Sequence, residues 1–376
     1  MRFAASEDEV MVEDMLDRVL SAARDSAPRI DGQAPRPAPE ELRSKLGDLG
    51  VWGAWLPDSA GGSDGGPRLL MTLARGLGRV PAHHGLIGGC VLPGVLLARS
   101  RGAEAAALAR RIATGAMPVA LAAMEPGARW DMSAPQTRAE RDGDGYRLNG
   151  TKIHVAEGAT AETFILSAGE GEGVSLFLVP AGTPGLTVAA YPATDGSQWA
   201  SLRISDVTLP ATARLAGPGE GAAWLEQAFT LAAFAAASEI LGSCEAALRQ
   251  TVEYLGTREQ FGKALAANQA LQFRAADLHT DIEMLRSQVL GAANALSQGY
   301  SLRARSDVAA AMAMAVQTGD LVAREAIHLH GAIGMTRELG IGYHLLRADV
   351  LSRWLGSAEH FRATFLRAAE EEEEAA

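Results

Sequence analysis

Apolar positions near the start of the chain recur at helical spacing. Val10, Val12, Met15, Leu16 and Val19 predict an amphipathic helix, and Glu40–Leu49 predicts a second, short one. The stretches GPRLLMTLARGLGR and VLPGVLLARS and the Ala-rich Glu104–Thr114 continue the helical texture to about Gly115. From about Met117 to Leu215 the period shortens. TFILSA and VSLFLVP are brief apolar runs, while YRLNGTKIHV and LRISDVTL alternate. Turn signals separate them at Asp144-Gly145, Asn149-Gly150 and Thr183-Pro184-Gly185. From about Glu220 proline disappears and helical periodicity returns, with one face marked by Ile282, Leu285, Val289, Ala293 and Leu296. The expected class is α+β, mainly α. A helical N-terminal domain (1–116) precedes a middle β-barrel or sandwich domain (117–217) and a C-terminal four-helix bundle (218–376). No internal repeat is visible.

One stretch disturbs the last helical run. REQFGKAL (258–265) sets Arg258, Gln260 and Phe261 side by side, then a glycine and a lysine. A buried helix would not choose two polar donors there, and a solvated helix would not choose Phe-Gly. The bland reading is a helix corner whose arginine forms a surface ion pair.

Composition narrows the function. With 376 residues the chain can bury more than one core, and 48% hydrophobic content marks it as globular. A net charge of −11 without a basic block argues against nucleic acid, and the closing run Glu370–Glu374 reads as a solvated helix end. Cys90 and Cys244 form neither a disulfide framework nor a metal spacing, so no metal is expected. His83 and His84 lack a third ligand at metal spacing and read as a solvated surface pair. No apolar run is read as long enough to span a bilayer, and MRFAASEDEV lacks a signal-peptide core. A cytoplasmic protein without a membrane partner is the expectation.

Five motifs in order resemble those of the acyl-CoA dehydrogenase family of flavoproteins, and the resemblance covers nearly the whole chain. They are LGDLGVWGAWLPDSAGG (46–62), MEPGARWD (124–131), NGTKIHVAEGA (149–159), TREQFGKALAANQALQFRAAD (257–277) and HLHGAIGM (328–335). The second resembles the family's T-E-P-x-x-G-S-D loop, the third its N-G-x-K-x-W-I-T-N-G strand pair. The resemblance implies the helix–β–helix architecture, FAD as cofactor, and α,β-desaturation of an acyl-CoA thioester.

It also implies roles for residues. The Arg-x-x-Phe-Gly corner of relatives reaches a neighbouring subunit's FAD. Arg258 would meet the diphosphate with its planar donor fork, and Gln260 and Phe261 would border the adenosine side. Leu265 and Gln269 lie further along that surface. His328, Leu329, Gly331 and Gly334 fall where relatives have Q-x-x-G-G-x-G, with His328 replacing the Gln and Ala332 one Gly. The half of the site that grips a subunit's own FAD departs from the pattern. Met124 stands for Thr, Arg129-Trp130 for Gly-Ser, His154 for the aromatic residue covering the flavin, and Ala156 for a threonine donor. Trp130 and Trp354 also read simply as filling core or interface volume.

The family's glutamate base is missing from both places it is expected. Counting from Arg347-Ala348-Asp349 lands on Gly356; counting back from Arg258 lands on Ala232, with Ala233 where an arginine for CoA is expected. Glu359 is the weak substitute, Glu239 and Glu157 are other carboxylates in reach, and Glu125 reads as a loop organiser bonding backbone N–H groups. An intact donated half beside a changed own half resembles the base-less chain of bacterial α2β2 heterotetramers in this family, some of which act on bulky steroid-type acyl-CoA thioesters. The implied partners are a catalytic acyl-CoA dehydrogenase subunit that shares the FAD and binds most of the acyl-CoA, and an electron-transfer flavoprotein as acceptor. A self-sufficient flavoenzyme with an unconventional base and a flavin-free scaffold remain the alternatives.

Overall fold

The computed structural model describes residues 4–25, 40–80, 82–336 and 338–374. Five helices come first: α1 (Glu7–Asp25), α2 (Glu40–Asp48), α3 (Gly66–Gly78), α4 (Leu92–Arg99) and α5 (Ala103–Ala113). A π-helical stretch, Leu86–Val91, leads into α4. Eight strands follow: β1 (Val119–Ala122), β2 (Arg138–Asp142), β3 (Gly145–Ala156), β4 (Thr163–Glu170), β5 (Gly173–Pro180), β6 (Leu186–Pro192), β7 (Gln198–Pro210) and β8 (Arg214–Ala216). Then come α6 (Gly221–Thr257), a hairpin of β9 (Glu259–Gln260) and β10 (Lys263–Ala264), and the helices α7 (Gln269–Ser297), α8 (Leu302–His330), α9 (Ile341–Leu355) and α10 (Ala358–Glu374).

The chain packs as two compact units. One comprises α1, Pro67–His84 and the chain from Ala233 on; the other comprises α2 with the chain to Gly66, and Gly85–Ala232. The second unit holds an eight-stranded mixed sheet in the order β6-β7-β3-β2-β4-β5-β8, with β1 parallel to β4. Its long β3–β7 pair is bulged between Leu148 and Gly150 and again between Lys152 and Val155, which bends the strands. Inward residues of both arms, among them Leu148, Val207, Leu166 and Phe177, form one core cluster. Tyr146 meets Phe177 edge-on at 4.9 Å and lies under the Arg141 guanidinium at 4.5 Å.

The first unit is helical, with α8 packed against α7, α9 and α10. Helices α3 and α6 cross on glycines. A Cβ on Gly78 would lie 2.0 Å from the Glu239 carbonyl oxygen, and one on Gly242 1.8 Å from that of Arg75. This approach lets Arg75 of α3 and Arg79 of the turn after it reach α6: they pair with Glu245 at 2.8 and 3.3 Å, joined by Arg286 of α7 at 2.9 Å. Deeper in, Glu239 takes Arg347 of α9 at 2.6 Å and His84 at 3.3 Å, all three groups buried.

Four sequence expectations change here. Asn149-Gly150 does not turn the chain: β3 runs through it, and the irregularity there is a bulge against β7. His83 and His84 are buried rather than solvated, their rings stacked 6.3 Å apart, because His84 reaches Glu239. Helix α6 is long and apolar enough to cross a membrane by length and composition, contrary to the reading of the run from sequence. However, 83% of its most apolar window is buried within the protein, as in a core helix. REQFGKAL is not a helix corner but the β9–β10 hairpin that ends α6.

Burial drives His344 and His84 toward the neutral form. His344, bonded to Ser243 Oγ at 2.6 Å, is lowered to about 4 by desolvation, with Arg249 adding repulsion; desolvation lowers His84 too. A depressed histidine adds stability above its unfolded pKa near 6.5 that is lost as pH falls toward its folded value. We expect unfolding free energy to drop between pH 6.5 and about 4. The His344 share is on the order of 3 kcal/mol, each tenfold change in proton affinity being worth ~1.4 kcal/mol. Urea titrations across that range should show a shallower pH slope for His344→Gln.

Candidate functional site

Helix α6 stops at Thr257 because the next residues pair with each other. Gln260 faces Lys263 and Glu259 faces Ala264 across a two-residue turn. Both turn residues, Phe261 (φ 53°) and Gly262 (φ 77°), occupy the left-handed region. Glycine takes that region at no cost; phenylalanine does not, and such a residue persists only where its surroundings or its function demand it. The Phe261 side chain is 100% exposed. Arg258 is exposed beside it. Its backbone N–H donates to the Tyr254 carbonyl, and among the described residues no carboxylate pairs with its guanidinium. The surface-ion-pair reading of this corner therefore lacks its partner.

The same end of this unit carries the other expected residues. Gln269 opens α7 and is exposed, and Leu265 is half-buried. Arg274 of α7 donates to Glu325 Oε2 from Nε at 2.8 Å and to His328 Nδ1 from Nη2 at 3.0 Å, tying the start of α7 to the end of α8. A guanidinium can only donate, so His328 Nδ1 accepts; the neutral ring then keeps its proton on Nε2. Gly331 is exposed in a left-handed conformation (φ 66°), whereas Leu329 and Gly334 are buried. A ligand would therefore meet this segment through His328 and Gly331. Phe273 and Met335, 65% and 80% exposed, add apolar surface to the same end.

The sheet unit holds the other set of motif residues. Met124 and Ala156 are buried, Ala156 against Gly88, and Trp130 is half-buried in the turn after Glu125. His154 sits on the second bulge of β3 with φ 54°. Its Nδ1 lies 3.1 Å from the Tyr191 hydroxyl and its ring edge-on to Trp199; desolvation holds its pKa low. Trp199 is itself fixed, donating from Nε1 to Ser197 Oγ at 2.6 Å, which donates to Asp195 at 2.5 Å.

Glu125 does organise its loop, with a partner the sequence reading did not assign. Its carboxylate accepts the N–H groups of Gln136 and Thr137, and Lys152 Nζ at 2.6 Å. Lys152 is fully buried and also donates to Ser167 Oγ and the Ala123 carbonyl, at 2.9 and 3.3 Å. Desolvation pulls its pKa to about 8 despite Glu125. Ion pairing and hydrogen bonding hold the Glu125 carboxyl below its ordinary range although burial opposes them.

Neither expected base position carries a carboxylate, and at Gly356 a side chain would be crowded. Ala232 and Ala233 are buried in α6. Gly356 caps α9 at φ 146°, ψ 143°, and a Cβ there would lie 2.6 Å from His360 Cδ2 and 2.8 Å from Phe361 Cε2. Two of the other carboxylates are unsuited. Glu239 is locked by Arg347 and His84, which drive its pKa far down against desolvation. The Glu359 side chain is 79% exposed, and its pKa is lowered first by its own backbone N–H and then by Ser357. Glu157 is buried at φ 60° beside Gly85. A general base for a carbon acid wants a pKa raised in an apolar enclosure. Neither Glu239 nor Glu359 meets that condition.

Comparison with known proteins gives this geometry its context. The family models for the acyl-CoA dehydrogenase middle domain and C-terminal domain match residues 120–207 and 219–369. A short-chain specific acyl-CoA dehydrogenase of Megasphaera elsdenii is 31% identical over 85% of this chain and 87% of its own. Among solved structures, the ChsE4-ChsE5 complex from Mycobacterium tuberculosis aligns with a TM-score of 0.86 at 27% identity, covering 99% of each chain. A variant of the Tcur3481-Tcur3483 steroid ACAD aligns at 0.84 and 29% identity, over 97% and 98% of the two chains. PigA with FAD and proline aligns at 0.89 and 25%, over 98% and 99%. The chain belongs to the acyl-CoA dehydrogenase family.

Two substitutions test the geometry. Gly356→Ala should destabilise the chain by roughly 1–3 kcal/mol, because the methyl group meets two aromatic rings and the backbone angle disfavours any side chain. Smaller losses are expected in a His360→Ala background. Lys152→Met should cost ~3–5 kcal/mol by leaving the Glu125 carboxylate buried without its cation. Denaturant unfolding of the purified variants measures both.

Proposed function

We propose that this chain is the subunit of a heteromeric, FAD-dependent acyl-CoA dehydrogenase that lacks the catalytic glutamate and completes the flavin site of a catalytic partner. One observation carries the reading: a strained, fully exposed Phe261 beside a guanidinium that no carboxylate among the described residues pairs with, in a chain whose Gly356 position is shut by His360 and Phe361. The first group of residues suits a ligand held from outside; the second excludes the acid–base chemistry from this chain.

The residues present fit FAD unevenly. Arg258 offers a bidentate donor fork for a diphosphate, Phe261 an apolar face, and His328 an N–H from its exposed side chain. Gln260 and Gln269 supply further polar groups, with Leu265 partly exposed beside them. These fit the group from a neighbour's side. The sheet unit fits it poorly, because Met124, Trp130, His154 and Ala156 remove hydroxyl donors and add bulk. When bound, FAD supplies the hydride acceptor for α,β-desaturation of the acyl thioester. This chain contributes cofactor grip and exclusion of water, and the base and most of the acyl-CoA pocket belong to the partner. Similarity to the ChsE4-ChsE5 and Tcur3481-Tcur3483 proteins favours an α2β2 assembly acting on a bulky, steroid-type acyl-CoA. An electron-transfer flavoprotein is the acceptor that family resemblance implies.

The test is assembly with a catalytic partner and measurement of flavin per complex after gel filtration. The expected result is one FAD per heterodimer and little flavin on this chain alone. Arg258→Ala should leave a folded complex that binds FAD about ten- to a hundredfold more weakly, the loss of a charge-assisted hydrogen bond of roughly 1.5–3 kcal/mol. Arg258→Lys should recover only part of it. One tight FAD per isolated chain would instead establish a self-sufficient flavoenzyme, and full retention in the alanine variant would separate this corner from the cofactor.

A further inference from the structure

The last turn of α8 hides a nitrogen with nothing to bond. His330 is 2% exposed, and its Nδ1 lies 2.7 Å from the Ala326 carbonyl. A carbonyl oxygen only accepts, so Nδ1 carries the proton and Nε2 is a bare acceptor. Nε2 is buried without a partner among the described residues. The ring lies against Tyr254 of α6, centroids 4.6 Å apart and planes 28° from parallel.

This stack adjoins both segments assigned to the cofactor-facing corner. The Tyr254 carbonyl accepts the Arg258 N–H at 2.8 Å, and the Arg258 carbonyl accepts the Leu265 N–H at 2.8 Å, which closes the hairpin. On the other side, Gly334 packs so tightly that a Cβ would lie 2.9 Å from His330 Cβ and 2.4 Å from the Ile327 carbonyl oxygen. The neutral ring fits this place. A protonated ring would hold a second N–H with no acceptor and a charge taken out of water, and only the Tyr254 face would attract it.

Resting on the reading under Proposed function, we propose that His330 is a positioning residue. As a neutral ring on Tyr254 it fixes the Arg258–Phe261 hairpin and the 331–335 turn in one arrangement, and a proton gained at Nε2 frees both. The charged and titratable groups nearest the stack in sequence are Glu253 and Tyr254 on α6, Arg258, Glu259 and Lys263 on the hairpin, Arg274 on α7, and Glu325 and His328 on α8. Helix α9, which also packs on α8, carries His344 and Arg347, the latter engaged by Glu239. Glu325 and His328 are already engaged by Arg274. None of them offsets a charge on His330; burial lowers its proton affinity, opposed only by the Ala326 carbonyl.

Hydrogen exchange of the full isolated chain tests this without flavin. After correction for intrinsic rates, protection of the Arg258 and Leu265 amides should fall about tenfold from pH 7.5 to 5.5, with α7 amides near Val289 as the control for global opening. His330→Phe, which keeps a ring on Tyr254 but cannot take a proton, should hold its protection across that range. His330→Ala should lack it at both values while α7 stays protected. Protection independent of pH in the unmodified chain, or full hairpin protection in the alanine variant, would overturn the proposal. Should His330→Ala fail to fold, the contrast between the unmodified chain and His330→Phe decides it. In the assembled complex, His330→Phe should retain flavin at pH 5.5 where the unmodified complex loses it. If Arg258→Ala keeps its flavin while the exchange data hold, the cofactor reading fails and the positioning role stands.

Discussion

A carboxylate sealed inside protein must find its counter-charges in the protein, and Glu239 imposes that requirement on its whole unit. Arg347 supplies the opposite charge from α9, and His84, held toward the neutral form by burial, meets the carboxylate at 3.3 Å from the segment after α3, so α6, α9 and that segment have one arrangement in which Glu239 is satisfied. Such a pair contributes little net stability against a well-packed apolar substitute, yet removing either partner is costly. Its value is to specify the packing. The glycine crossing of α3 and α6 serves the same end by bringing the two helices close enough for Arg75 and Arg79 to reach Glu245.

Within that rigid frame the chain treats its two family sites in opposite ways. The corner at the end of α6 stays open: polar donors and an aromatic ring face solvent on a turn that a phenylalanine does not choose for itself. The position after α9 is shut, with two rings filling the volume a side chain would need. Openness at one place and closure at the other are the two features on which the proposed division of labour rests. In the sheet unit, Lys152 and Glu125 keep the altered loop well anchored. The changes at Met124 and Trp130 therefore lie beside a held loop rather than a collapsed one.

Much of the fold was legible because periodicity is a local property. Helices and strands fell where apolar spacing placed them, and the motifs carried the order of the family. What escaped depended on partners distant in sequence. His83 and His84 read as surface residues because nothing near them reveals Glu239, and Glu239 read as a spare carboxylate because nothing near it reveals Arg347. The hairpin was hidden by its brevity, since two-residue strands leave no alternation to detect. Lys152 was more accessible. It keeps the inward parity of Tyr146 and Leu148 along β3, and a lysine on an inward face needs a buried carboxylate.

The backbone at Gly356 also bears on how such a chain could change over time. Every glycine codon lies a single nucleotide from a codon for glutamate or aspartate, so a carboxylate at this position is one genetic step away. Packing makes that step unproductive, since His360 and Phe361 would have to yield in the same lineage before the new side chain could be housed. On the reading proposed above, the barrier to an independent active site is thus conformational rather than genetic, and each generation that keeps the two rings in place depends on another polypeptide for the missing chemistry.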